Sequence, residues 1–222
     1  MPEFLKAKRT SYGHWRHLVQ AAVFGAILAM ASPADARAIR LVVLGDSLTA
    51  GLGLPPGKAF PDRLQAALRA RGFDVEVVNA GVSGDTAADG LERYDWAVPA
   101  DADALIVELG ANDMLRGFEP EATKAALAAI LDKARAAHLP TLLAGMRAAP
   151  NLGAEYGREF AAVYPALATA YNVALYPFFL DGVAGDPKLN QADGMHPTAE
   201  GVAAIVERIE PSVEELLKEG KP

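Results

Sequence analysis

Leu41-Val42-Val43-Leu44-Gly45-Asp46-Ser47-Leu48 is the stretch from which the rest of the chain is read. A short Val- and Leu-rich run that stops at Gly is the pattern of a buried parallel strand. The residues that follow, Thr49-Ala50-Gly51-Leu52-Gly53, are small and turn-prone. Ser47 is therefore expected at the carboxyl end of a strand, the edge at which open α/β sheets bind ligands.

Working outward, the pattern alternates strand and helix five times. The first strand is expected over 39–44 and the first helix over 59–71, with Phe60, Leu64, Ala67 and Leu68 at helical spacing and Gly72 as its stop. A second strand over 75–78 leads into a loop over 79–86. Thr86 with Asp89 reads as a capping pair for a helix through Tyr94. A third strand over 104–109 exits through Gly110-Ala111-Asn112-Asp113 as a loop. Pro120 opens a helix to about Ala137, buried along Leu127, Ile130, Leu131 and Ala134. A fourth strand over 141–146, a loop over 147–153, a helix over 155–171 that Pro165 kinks, and a fifth strand over 173–176 follow. The final helix carries Val202, Ile205, Val206 and Ile209, and Pro211 is expected to break or restart it. This alternation predicts one α/β domain, a parallel sheet with helices on both faces.

Composition narrows the function. The 222 residues carry a formal net charge of -7 and no cysteine. That excludes disulfides and thiolate metal sites, and it argues against nucleic acid or an anionic membrane surface as partner. The first 36 residues differ from the rest. Lys6, Lys8, Arg9 and Arg16 precede an uncharged run from Leu18 to Ala31, then Ala34-Asp35-Ala36 and Ala36-Arg37-Ala38. This is the three-part pattern of a cleavable secretory signal peptide, cut near 36 or 38, and the apolar run is too short to span a bilayer. The expected product is one domain over 39–217 with a tail over 218–222. It is expected to be periplasmic or secreted, monomeric, and without stable membrane insertion after processing.

The histidines locate the chemistry. His14 and His17 lie in the leader, and His138 should fall at the amino edge of the sheet. His196, after the fifth strand, is left as the base for Ser47. Asp193 precedes it by three residues in Asp193-Gly194-Met195-His196-Pro197, close enough to fix the imidazole tautomer. Oxyanion donors are expected from the Ser47 N–H, the Gly84 N–H after the second strand and the Asn112 amide after the third. Two histidines and no cysteine disfavour a histidine-based zinc site. Neither metal nor cofactor is expected.

These blocks resemble the SGNH hydrolases, also called the GDSL lipase/esterase family. Gly45-Asp46-Ser47-Leu48, Gly84, Asn112 and Asp193-x-x-His196 carry the resemblance over about residues 39–217. Ser83-Gly84-Asp85-Thr86, Glu108-Leu109-Gly110-Ala111-Asn112-Asp113 and Leu115-Arg116-Gly117-Phe118 are most similar to its periplasmic acyl thioesterase, lysophospholipase and arylesterase branch. The chain departs from that branch at Ala111, often glycine there, and over 147–156. The resemblance implies a flavodoxin-like sheet of order 2-1-3-4-5. It also implies Ser47 as nucleophile, His196 as base, Asp193 as its partner, and Ser47, Gly84 and Asn112 as oxyanion donors.

For substrate, Met114, Leu115 and Phe118 put apolar groups beside Asn112. Leu152 and Tyr156 follow strand four on the opposite side, and Met195 adjoins His196. Together they are expected to line an apolar trough for a medium- to long-chain acyl ester, thioester or lysolipid. A short-chain carbohydrate or aryl acetylesterase is the rival enzyme reading, and a secreted acyl-binding protein is the non-enzyme reading. Gly51-x-Gly53 lacks the third glycine of a dinucleotide fingerprint at its required spacing. No Gly-x-Ser-x-Gly elbow surrounds Ser47, and no P-loop is present.

Overall fold

Successive residues Leu41 to Leu44 are all fully buried, so the first strand has no solvent face. The same holds for Leu105 to Val107 and for Leu142 and Leu143. Strands buried on both faces belong to a parallel sheet covered by helices on each side, and the computed structural model, which describes residues 37–219, has that arrangement. Leader residues 1–36 lie outside the described part, as do 220–222.

The elements run β1 (Ile39–Gly45), α1 (Ser47–Ala50), α2 (Phe60–Ala70), β2 (Val75–Gly81), α3 (Ala87–Glu92), α4 (Tyr94–Ala97), β3 (Ala104–Glu108), α5 (Ala111–Leu115), α6 (Pro120–Ala136), β4 (Thr141–Ala144), a 3₁₀ turn (Pro150–Leu152), α7 (Ala154–Tyr171), β5 (Ala174–Tyr176) and α8 (Ala199–Glu219). The sheet is parallel with order β2-β1-β3-β4-β5. α2 packs against α8 in one helical layer, and α6 packs against α3 and α7 in the other. Chain order reverses between β1 and β3, and a ligand crevice opens at such a switch point. Ser47 leaves β1 there and Asn112 leaves β3.

Four expectations are corrected. β2 continues to Gly81, beyond 78, because β1 pairs with it over its full length, ending at Gly45 opposite Gly81. The expected single helix from Thr86 to Tyr94 turns at Arg93, whose side chain goes inward and is 6% exposed. The expected exit loop at Ala111 to Asp113 is helical. There Met114 N–H donates to the Gly110 carbonyl at 3.1 Å, while the buried Asp113 carboxylate accepts from Ala87 N–H and Thr123 Oγ1. Asp113 thus answers to neighbouring elements instead of forming a turn of its own.

Pro211 is the fourth correction: α8 runs through it, as α7 runs through Pro165. An internal proline costs roughly 3 kcal/mol. Beyond Pro211 the helix buries Val213, Leu216 and Leu217, each worth about 1.5–3 kcal/mol, so continuing outweighs breaking. For the same reason the helix runs into the expected tail as far as Glu219.

The chain after β5 must return across the sheet to reach Ser47. Phe179 anchors this return: it is fully buried and meets Phe60 of α2 edge-on, with ring centroids 4.9 Å apart. Among the described residues, the chain from Ala38 onward forms one compact unit.

Candidate active site

Ser47 is the first residue of α1, the short helix that follows β1 directly. Asp46 caps it: its carboxylate accepts from Leu48 N–H at 2.9 Å. Gly51, at φ 83°, closes the turn by donating to the Ser47 carbonyl, a conformation that favours glycine. The serine backbone is therefore fixed from both ends, and its side chain stays at the mouth of the sheet.

His196 reaches Ser47 from the return segment, with Nε2 at 2.9 Å from Ser47 Oγ. Its Nδ1 is 2.6 Å from Asp193 Oδ2. The other Asp193 oxygen accepts from Met195 N–H at 2.9 Å and His196 N–H at 3.0 Å. These two backbone donors, and then the imidazole, hold the Asp193 carboxyl down at about 2. Asp193 thus stays ionised wherever the enzyme is folded and at work. Gly194, at φ 72°, allows the tight turn between Asp193 and His196. Gln191 fastens the loop: its backbone N–H donates to the His196 carbonyl at 2.7 Å, and its amide donates to the Leu52 carbonyl at 2.8 Å. The His196 loop is thereby tied to the segment after Ser47. His138 lies elsewhere, exposed at the C-terminus of α6 with φ 53°.

Gly84 is the third residue of a turn closed by Asp85 N–H on the Val82 carbonyl at 3.2 Å. Its φ of 93° is what a type II turn needs at that place. The Asn112 amide faces inward. It donates to Asp46 Oδ2 at 3.0 Å and to the Asp85 carbonyl at 3.0 Å. The exits of β1, β2 and β3 are thus joined through one side chain.

The apolar candidates divide by exposure. Leu115, Phe118 and Met195 are 53%, 41% and 47% exposed. Met114, expected to line the trough, is buried in the core. Leu152 and Tyr156 are partly buried against the core. The Tyr156 hydroxyl donates to the Phe118 carbonyl at 2.8 Å, and its ring stacks on Phe160. β3 and β4 are neighbours, so their exit segments meet.

Three residues of the site were not singled out from the sequence. Glu108, fully buried at the end of β3, accepts from Thr49 Oγ1 at 2.6 Å. Arg93 and Asp85 form a buried ion pair beside Gly45. Burial pushes the Asp46 carboxyl up to about 6, with Leu48 N–H and Asn112 pulling the other way. Burial pushes Glu108 well above the carboxylate range, and the adjacent Asp46 charge adds to it. Of this pair, Glu108 is the one that holds its proton. A charged residue ending an otherwise apolar strand, as in Ala104-Leu105-Ile106-Val107-Glu108, was the available signal.

The described residues 43–204 match the GDSL-like lipase/acylhydrolase family. The chain belongs to that family. Esterase TesA of Pseudomonas aeruginosa strain PAO1 is 42% identical over 184 residues, which is 82% of this chain and 92% of that protein. Thioesterase 1/protease 1/lysophospholipase L1 of Escherichia coli strain K12 is 38% identical over 173 residues, covering 78% of this chain and 82% of its own. The crystal structure of AlinE4, an SGNH-hydrolase family esterase, superposes with a TM-score of 0.69 at 44% identity, covering 83% of this chain and 99% of that one.

The protonated Glu108 has a consequence for stability. The folded protein keeps this proton where the unfolded chain has released it, so folding weakens as pH rises above the ordinary glutamate value. Glu108→Gln is neutral at every pH and lacks this loss. Its melting temperature relative to wild type should climb as pH rises above the ordinary glutamate value. A difference that stays flat with pH would show that Glu108 is not held protonated.

Proposed function

We propose that this acylhydrolase-family chain is an exported serine esterase that cleaves medium- to long-chain acyl esters, acyl thioesters or lysolipids through an acyl-enzyme. The observation that carries the mechanism is the continuous line from Ser47 Oγ to His196 Nε2 at 2.9 Å and from His196 Nδ1 to Asp193 at 2.6 Å. Export rests on the basic, apolar and small-residue segments of the leader. Among the described residues no helix is long and apolar enough to cross a membrane.

In the first half-reaction Ser47 Oγ attacks the acyl carbonyl carbon while His196 Nε2 takes its proton. The ionised Asp193 stabilises the imidazolium and keeps Nδ1 protonated. The Ser47 and Gly84 N–H groups and the Asn112 amide face the charge that develops on the carbonyl oxygen. Asn112 gives up its bond to the Asp85 carbonyl for this purpose and keeps the one to Asp46. His196 returns the proton to the departing alcohol or thiol. Water, activated by the same histidine, then cleaves the acyl-serine. The chemistry requires no metal or cofactor.

The variants expected from this mechanism are specific. Ser47→Ala and His196→Ala should each lower kcat by roughly three orders of magnitude or more, and the double variant should lose little further, because the groups act as one unit. Asn112→Ala should lower kcat about a hundredfold with KM nearly unchanged. Multiplying losses in the Ser47/His196 double variant would show that the unit is wrongly assigned. An Asn112 effect on KM alone would make that residue a substrate binder.

The acyl preference rests on Leu115, Phe118 and Met195, exposed on segments that flank the triad. The relatives' names, esterase and thioesterase/lysophospholipase, are in keeping with such a substrate. Each buried methylene is worth up to ~0.8 kcal/mol. Rates on monomeric esters should therefore rise in kcat/KM from acetyl to about octanoyl, and Phe118→Ala should flatten the rise. A steady fall from acetyl onward would favour the short-chain esterase.

A further inference from the structure

Arg93 stands at the junction of α3 and α4, the last residue of one cap and the first of the next, with φ -94° and ψ 1°. Its guanidinium turns into the protein. Nη2 donates to the Gly45 carbonyl at 2.8 Å, the peptide that leads into Asp46-Ser47. Nε donates to the Asp85 carboxylate, the residue after Gly84. Trp96, itself 72% exposed, lies with its ring centre 5.9 Å from the guanidinium carbon.

These contacts close a ring. From Gly45 the path runs along the chain to Asp46, across to the Asn112 amide, on to the Asp85 carbonyl, and back through the Asp85 carboxylate to Arg93. The Gly45 carbonyl also accepts from Val82 N–H at 3.1 Å, at the start of the Gly84 turn. Every backbone segment that supplies a proposed oxyanion donor lies on this ring.

We propose that Arg93 is a positioning residue for ester hydrolysis, its guanidinium setting the spacing between the Ser47 turn and the Gly84 and Asn112 donors. The proposal rests on the oxyanion reading given above. Two features point to function beyond packing. Arg93 Nη1 is buried and has no hydrogen-bond partner. A buried charge with an unpaired N–H is a poor choice for stability alone, since an apolar side chain avoids both costs. Second, the acceptors are a backbone carbonyl and a carboxylate on different strand exits. The planar, two-donor guanidinium edge spans them at fixed separation, which a lysine ammonium does not. Oxyanion donors act only when placed to within fractions of an ångström, so loosening this spacing falls on the transition state more than on substrate binding.

The test is Arg93→Lys and Arg93→Ala, each assayed on a p-nitrophenyl ester after folding is checked by circular dichroism and melting. Arg93→Lys should fold and lose about tenfold or more in kcat, with KM within roughly threefold of wild type. Arg93→Ala should lose more, and added ethylguanidinium should restore part of its kcat without accelerating wild type. In an Asn112→Ala background, Arg93→Lys should cost clearly less than it does in the wild-type background, since one of the two donors it positions is already gone. Arg93→Lys at a kcat within twofold of wild type overturns the proposal, as does a loss confined to KM or full multiplication with Asn112→Ala. Arg93→Lys decides the matter if Arg93→Ala does not fold. Ser47→Ala assayed alongside separates the failures: an active Ser47→Ala refutes the esterase mechanism itself, whereas an inactive one with full-rate Arg93→Lys refutes only the role of Arg93.

Discussion

The Asp46 carboxylate is the contact on which the site depends. It lies fully buried at the end of β1 and accepts from Leu48 N–H and from the Asn112 amide. With one oxygen it caps the helix that begins at Ser47, and with the other it holds the exit of β3. Burying a carboxylate is costly unless donors satisfy it. The burial cost is visible in its raised pKa, as is the opposing pull of its two donors. Burial and the Asp46 charge favour the neutral form of the adjacent Glu108, so the two buried carboxyls beneath Ser47 do not both carry charge. Thr49 of α1 is tied to that neutral acid, which fixes the far end of the same short helix.

The sheet order explains why such distant residues meet. β1 lies between β2 and β3, so the exits carrying Ser47, Gly84 and Asn112 are neighbours by topology alone. His196 is different, because β5 lies at the far edge. It reaches Ser47 from a return segment pinned by Phe179 on Phe60 and by Gln191 on the Leu52 carbonyl. The tight Asp193 turn then presents the imidazole already oriented. Ser47, Gly84 and Asn112 are placed by the fold, and His196 is placed by a loop with its own fastenings.

Sequence reading recovered what is written locally. The run Leu41 to Leu44, the capping pair Thr86 and Asp89, and the amphipathic helices all show in residue spacing. His196 followed by elimination, because few histidines are present. What was not legible is set by tertiary proximity. Nothing near Arg93 in sequence reveals that its guanidinium meets Gly45, 48 positions away. Nor does the sequence reveal that the Tyr156 hydroxyl meets the Phe118 carbonyl, because the pairing of β3 with β4 brings their exit segments together. Pro211 looked like a helix end, and burial of the apolar residues beyond it decided otherwise.

The central claim is that three strand exits converge on one oxygen beside Ser47. Its most direct test is a crystal structure of the protein after reaction with an alkyl phosphonate ester. The expected result is a phosphorus atom bonded to Ser47 Oγ, with its oxygen within hydrogen-bond distance of Ser47 N, Gly84 N and Asn112 Nδ2, and with Asn112 released from the Asp85 carbonyl. A phosphonate on another residue, or one whose oxygen points away from these donors while Asn112 keeps both of its present partners, would contradict the account.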